Sequence, residues 1–120
     1  MRLLLVEDDP DIQLVAKAAL KRSGFVVSTT SNGPSALEQV RVDRPEVILL
    51  DWMMPEMDGP EVCRRLKADA ATADIPVIFL TARSQQSEIA RGLSLGAVGY
   101  IVKPFDALTL GTQVRELLTR

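Results

Sequence analysis

A chain of 120 residues, 47% apolar and 25% charged, has the size and make-up of one globular domain able to bury a real core. Its net charge of −2 argues against general affinity for nucleic acid or anionic membrane, and no apolar stretch approaches the roughly 20 residues of a membrane span. The absence of histidine excludes Ser-His-Asp and Cys-His catalysis, histidine-ligated zinc or iron, and a phosphohistidine on this chain, while the lone Cys63 excludes an internal disulfide and fits a reducing cytoplasm.

The first apolar run, Leu3 to Val6, is too short for a signal peptide and ends in Glu7-Asp8-Asp9. Ile12, Val15, Ala16, Ala19 and Leu20 then recur at helical spacing as one expected buried stripe. Asp9 is placed to cap that helix, Lys21-Arg22 suit its last turn, and Gly24 lies just beyond. A second run begins near Phe25. The helix after it is opened by Asn32-Gly33-Pro34 and buries Ala36, Leu37 and Val40. The third run, Val47 to Leu50, ends on Asp51 and passes into Trp52-Met53-Met54-Pro55-Glu56-Met57-Asp58-Gly59, whose methionines read as adaptable packing around a loop. Asp58-Gly59-Pro60 announces a helix with Val62, Cys63 and Leu66 inward, Cys63 as a core filler rather than a nucleophile.

The fourth run, Val77 to Leu80, ends on Thr81. The stretch Ser84 to Leu95 has Ile89 and Leu93 as its main anchors, and Gly92 and Gly96 each lower its helix propensity by about 1 kcal/mol. It is the element expected to move. The fifth run, Tyr100 to Val102, ends on Lys103, and the last helix is expected to begin at about Asp106 as its N-cap, with Leu110, Val114, Leu117 and Leu118 facing inward. Strict strand–helix alternation predicts a single α/β domain over 1–120, with a parallel sheet and right-handed crossovers. Four of the runs are nearly continuous rather than alternating, as strands covered on both faces are.

Each strand-end residue has an ordinary alternative. Asp51 could cap a helix, Glu7 and Asp8 could line a solvated turn, Thr81 could be a bonded strand end, and Lys103 could lie on the surface. Their joint placement argues otherwise, because open parallel sheets bind ligands at the carboxyl ends of their strands. Several carboxylates packed together repel one another by about 4 kcal/mol per close pair at an effective dielectric near 20, and a divalent cation relieves that. With no histidine available the metal must be held by oxygen, which selects magnesium, manganese or calcium. Asp51 could then attack a phosphoryl group whose charge the metal and Lys103 neutralise, while Thr81 donates a hydrogen bond to one of its oxygens.

Val-Glu-Asp-Asp at 6–9, Leu-Leu-Asp-Trp-Met-Met-Pro-Glu-Met-Asp-Gly at 49–59, Leu-Thr-Ala-Arg at 80–83 and Tyr-Ile-Val-Lys-Pro-Phe at 100–105 closely resemble the receiver domain of bacterial two-component response regulators. The resemblance runs the length of the chain, in order and at the family's spacing. It implies a flavodoxin-like, doubly wound (βα)5 fold with strand order 2-1-3-4-5. It implies that Asp51 is the phosphoacceptor, that Glu7, Asp8, Asp51 and the backbone carbonyl of Met53 hold Mg2+ (with Mn2+ a substitute), and that Thr81 and Lys103 contact the phosphoryl group. Tyr100 would be the aromatic switch that turns inward as Thr81 moves, the alternative being a half-buried strand tyrosine with a wet hydroxyl. Lys103–Pro104 would be cis. Met53 and Arg83 would flank the path of hydrolytic water, and an apolar Met53 with a bulky Arg83 implies slow hydrolysis.

So read, the chain is a cytoplasmic signalling switch that catalyses its own phosphorylation and dephosphorylation. Its partners would be a sensor histidine kinase or histidine phosphotransfer protein and an output protein or domain on the 81–120 face, with no direct contact to nucleic acid or membrane. It would be a monomer or a phosphorylation-dependent dimer. Receivers of winged-helix transcription factors usually carry acidic residues between Gly-Ala and Tyr. Here Gly96-Ala97 is followed by Val98-Gly99, which favours a stand-alone receiver or another output type. A haloacid-dehalogenase-type phosphatase needs a second acid where Met53 stands, a flavin carrier would not place Glu7-Asp8-Asp9 against a phosphate, and a pseudo-receiver would lack Asp51 or Lys103.

Overall fold

The computed structural model describes residues 1–82 and 86–119. Strands and helices alternate as β1 (Arg2–Val6), α1 (Pro10–Arg22), β2 (Val26–Thr30), α2 (Gly33–Val42), β3 (Val47–Asp51), α3 (Gly59–Ala68), β4 (Val77–Thr81), α4 (Gln86–Ser94), β5 (Gly99–Val102) and α5 (Leu110–Leu118). All pairings are parallel and the order is β2-β1-β3-β4-β5. The flavodoxin-like expectation therefore holds. The order reverses between β1 and β3, so the loops leaving these two strands part and open a crevice at their carboxyl ends.

Two apolar layers explain the continuous strand runs. On one face Leu4, Val6, Ile48, Leu50, Val77 and Phe79 pack with Ala36, Val40, Val62, Cys63 and Leu66 of α2 and α3. On the other, Leu3, Leu5, Val47, Leu49, Ile78 and Leu80 meet Ala16, Ala19 and Leu20 of α1 and Leu110 and Val114 of α5. Every residue of β3 and β4 is buried, as central strands covered on both sides must be.

The helix starts follow their capping residues. Asp9 accepts from the amides of Asp11 and Ile12, Asn32 from Ser35, and Asp58 from Glu61, each with proline in the first turn. Gly24, after α1, has φ 95°, the left-handed geometry expected of a residue just past a helix end.

Three expectations about the helices need correction. Val15 is 50% exposed, because α1 is covered only through Ala16, Ala19 and Leu20. Asp106 does not cap the last helix: its carboxylate accepts from Leu108 N, a separate turn over 107–109 intervenes, and α5 starts at Leu110. Leu93 is 46% exposed, a partial anchor at most, whereas Gly92 is buried. A Cβ at Gly92 would stand 2.9 Å from Trp52 Cζ3 and 3.1 Å from Phe79 Cδ2, so α4 approaches the sheet through a notch that only glycine leaves open. The expected helix start at Ser84 lies outside the described residues.

Candidate functional site

The strand register assembles the site. Val6 pairs with Leu50, so Glu7 and Asp51, each one residue further on, stand at adjoining strand ends. Leu80 pairs with Asp51 and Val102 with Thr81, which brings Thr81 and Lys103 alongside; Lys103 N donates to Thr81 O at 2.6 Å. Glu7, Asp8 and Asp51 each present a carboxylate oxygen, all within 4.8 Å of one another, and among the described residues this is the acidic cluster able to hold a metal. Asp8 is exposed whereas Glu7 and Asp51 are buried, 1% and 4% exposed, so the cluster is open to solvent on one side only.

Lys103 is not a surface lysine. Its Nζ donates to Asp51 Oδ1 at 2.9 Å and lies 2.7 Å from Glu7 Oε1, an ion contact without hydrogen-bond alignment. The other Glu7 oxygen accepts from Asp9 N at 3.1 Å. Burial first of all, and then the contact with Glu7, push the Asp51 carboxyl up from 3.8 to about 7; Lys103 opposes this without cancelling it. Burial alone would lower the Lys103 pKa, but its contacts with Glu7 and then Asp51 outweigh burial and raise it. One ammonium thus serves two buried carboxylates, and the site carries a deficit of positive charge.

That deficit is how the residues fit a metal. Hard oxygen donors in a half-open cluster suit Mg2+ or Mn2+, which keep several waters and take few protein ligands. Thr81 Oγ1 is buried without a hydrogen-bond partner in this state, so the strand end offers an unspent hydroxyl. The Lys103–Pro104 bond is cis.

Among the other expected residues, exposure differs. Tyr100 is 39% exposed on β5, its side chain outward rather than packed under β4. The Met53 side chain is 73% exposed, while Met54 is buried and Met57 half-buried, so only the last two pack as expected. Arg83 lies outside the described residues.

Sequence reading missed three contributors. Gln13 Nε2 donates to Glu7 O at 3.0 Å and Thr30 O at 3.4 Å, tying the ends of β1 and β2; a glutamine beside the apolar stripe of α1 was its only signal. Trp52 is buried with its ring edge-on to Phe79, centroids 4.7 Å apart, a partner that nothing in its loop position after Asp51 indicated. Gly59 was legible as a helix opener but not as the point where α3 touches the strand end.

The sequence model of the response regulator receiver domain matches residues 3–115. The chain is 42% identical over 118 residues to the transcriptional regulatory protein CseB of Streptomyces coelicolor, covering 98% of this chain and 49% of that protein. It is also 42% identical over 120 residues to the response regulator MprA of Mycobacterium leprae, covering all of this chain and 52% of the relative. The chain therefore spans about half the length of the curated relatives it matches. The crystal structure of a putative response regulator from Chloroflexus aurantiacus J-10-fl superposes with a TM-score of 0.92 at 30% identity, covering 99% of this chain and 98% of the other.

Proposed function

The chain belongs to the response regulator receiver domain family, and from that premise we propose that Asp51 accepts a phosphoryl group from the phosphohistidine of a sensor histidine kinase or histidine phosphotransfer protein. The whole of 1–120 acts as the receiver. Receivers of response regulators work with histidine kinases and output domains. The observation that carries the proposal is Lys103 Nζ, shared between Asp51 and Glu7 at 2.9 and 2.7 Å beside an unpartnered Thr81 hydroxyl.

Asp51 is fixed at the end of a fully buried strand, so its free oxygen can be aimed in line at an incoming phosphorus. As the new O–P bond forms, the P–N bond to the donor's imidazole breaks, and its electron pair leaves with the ring nitrogen. Glu7, Asp8, Asp51 and the backbone carbonyl of Met53 would hold Mg2+ or Mn2+. When bound, the ion neutralises charge on the phosphoryl oxygens. Lys103 takes the oxygen on its own side, and the Thr81 hydroxyl donates to another, satisfying the bond it lacks at rest. Tyr100, outward here, then turns toward the space that Thr81 vacates, and the face formed by 81–120 reports the change to an output partner. Exposed Met53, with Arg83 from its sequence position alone, would hinder water and slow the hydrolysis that resets the switch.

The chain works in the cytoplasm, and among the described residues no helix is long and apolar enough to cross a membrane. CseB is named a transcriptional regulatory protein, so the expectation of an output other than a winged-helix transcription factor rests on Val98-Gly99 alone. Incubation with a panel of phosphorylated histidine kinases and Mg2+ should give rapid transfer from a few, and acetyl phosphate should label Asp51 more slowly. The label should be labile in alkali, as acyl phosphates are, and Asp51→Asn should lose it. Stable labelling of that variant on serine or threonine would overturn the assignment.

A further inference from the structure

At the start of α3, Gly59 is packed directly against the backbone of the candidate site. An alanine methyl there would lie 3.0 Å from Trp52 Cα and 3.2 Å from Asp51 C, and closer still to the Asp51 carbonyl oxygen, inside any real contact distance. These neighbours are backbone, so no side chain can rotate away to make room. Gly59 N also donates to Trp52 O at 2.9 Å, closing the loop 53–58 at its base. Within the loop, Met57 N donates to Pro55 O at 2.8 Å and Glu56 holds a left-handed φ of 68°, so the path of the loop is narrowly set.

We propose that Gly59 is a positioning residue, which seats the first turn of α3 directly on the backbone of Asp51 and Trp52 and thereby fixes the acceptor carboxylate and the Met53 carbonyl against Glu7, Asp8 and Lys103. The inference rests on the functional reading above. Its physical basis is that the two halves of the site are held by different neighbours. Glu7 and Asp8 follow β1 and Lys103 follows β5, each tied through the sheet, whereas Asp51, paired with Leu80 as the last residue of β3, also carries the start of α3 on its backbone, and Met53 lies beyond it in the loop that Gly59 closes. A methyl at 59 must part α3 from the end of β3 and shift one half of the site relative to the other. A misplacement near 1 Å costs about a hundredfold in rate for chemistry that depends on alignment, and loss of an orienting contact behind a metal ligand costs about 10–100-fold in affinity.

The test compares Gly59→Ala with Gly111→Ala. At Gly111 a methyl would overlap the Ser23 side chain, giving a steric insult where α5 meets the far end of α1, about 20 Å of helix from the site. Both variants and the wild type are titrated with Mg2+ by calorimetry and with Mn2+ by water-proton relaxation, then labelled with acetyl phosphate. Gly59→Ala should bind both ions at least tenfold more weakly and label at least tenfold more slowly, while Gly111→Ala loses stability yet keeps wild-type affinity and rate. If Gly59→Ala is largely unfolded in buffer, the titrations are repeated in trimethylamine N-oxide, which favours the compact state. A folded Gly59→Ala with wild-type affinity and rate, in buffer or osmolyte, overturns the positioning role. So does an equal loss in Gly111→Ala. Failure of the wild type itself to bind Mg2+ and to label at Asp51 would instead sink the functional reading.

Discussion

The Lys103 ammonium lies 2.9 Å from Asp51 Oδ1 although 52 positions separate them in the chain. The same ammonium is 2.7 Å from Glu7, so one positive charge is divided between two buried carboxylates. The division leaves Asp51 short of compensation, and burial then raises its pKa from 3.8 to about 7.

This has a consequence for stability in the absence of metal. An acid whose pKa is higher in the folded than in the unfolded state binds its proton more tightly when folded. The contribution of Asp51 to stability is therefore most favourable below the unfolded value near 3.8, falls as pH rises toward 7, and stays lowered above it. The shift sets a ceiling of about 4 kcal/mol, reduced because Glu7 shares the effect. Asp51→Asn, which cannot ionise, should be more stable than wild type in EDTA at pH 8 by roughly 2–4 kcal/mol, the gap closing toward pH 4. Urea unfolding across that range checks it. A difference that does not change with pH would show that ionisation of Asp51 is not the cause.

Magnesium should act in the opposite sense. A cation in the Glu7/Asp8/Asp51 cluster favours the ionised carboxylates, so it should stabilise the wild type more at pH 8 than at pH 5 and flatten the dependence just described. Affinity should be modest, because few protein ligands leave most waters in place. Trp52, directly after Asp51, should report binding by a change in emission. Asp8→Asn should shift the midpoint to higher Mg2+, and a titration curve unchanged from wild type would remove Asp8 from the ligand set.

The fold was legible because local and global signals agree. Continuous runs at 47–50 and 77–80 mark strands covered on both faces, and Asp9, Asn32 and Asp58 announce helices with the caps they make. The site was legible for the same reason: its residues occur at strand ends, and parallel register turns that one-dimensional position into proximity. Three-body contacts were not legible. Periodicity placed Val15 on the inner face of α1, but neighbouring elements cover only part of that stripe. The carboxylate at Asp106 caps a turn as readily as a helix, so the N-cap of α5 falls three residues later, at Thr109. Gly92 and Gly59 carry no side-chain signal; their meaning lies in the Trp52 ring and the Asp51 backbone brought against them.

Gly92 tests that last point. In a solvent-facing helix, glycine to alanine gains about 1 kcal/mol of helix propensity. Here the methyl would press on Trp52 Cζ3 at 2.9 Å and on the Phe79 ring at 3.1 and 3.2 Å, and overpacking of this kind costs about 1–3 kcal/mol. Gly92→Ala should therefore lose about 1 kcal/mol in urea unfolding and shift the Trp52 emission of the folded protein toward the red as the indole is displaced. A gain of stability with unchanged emission would mean that propensity wins and that α4 is not held by this notch.

On the proposed function, the hydroxyl of Thr81 should separate acceptance of the phosphoryl group from its transmission. It is buried, unpartnered and one residue past Leu80, the register partner of Asp51. A phosphoryl oxygen would give it the bond it lacks, and its movement would open space toward Tyr100, now 39% exposed. A switch of this kind needs a few kcal/mol of difference between its two states, the scale of one or two hydrogen bonds to a charged group. Beryllofluoride on Asp51, standing in for the phosphoryl group, should therefore change amide exchange most over 81–105 and little over 10–45. Thr81→Ala should still take acetyl phosphate at Asp51, because the carboxylate and Lys103 remain, but it should transmit much less of the exchange change. Changes centred on α1 and α2, or a Thr81→Ala response equal to wild type, would show that the signal leaves the site by another route.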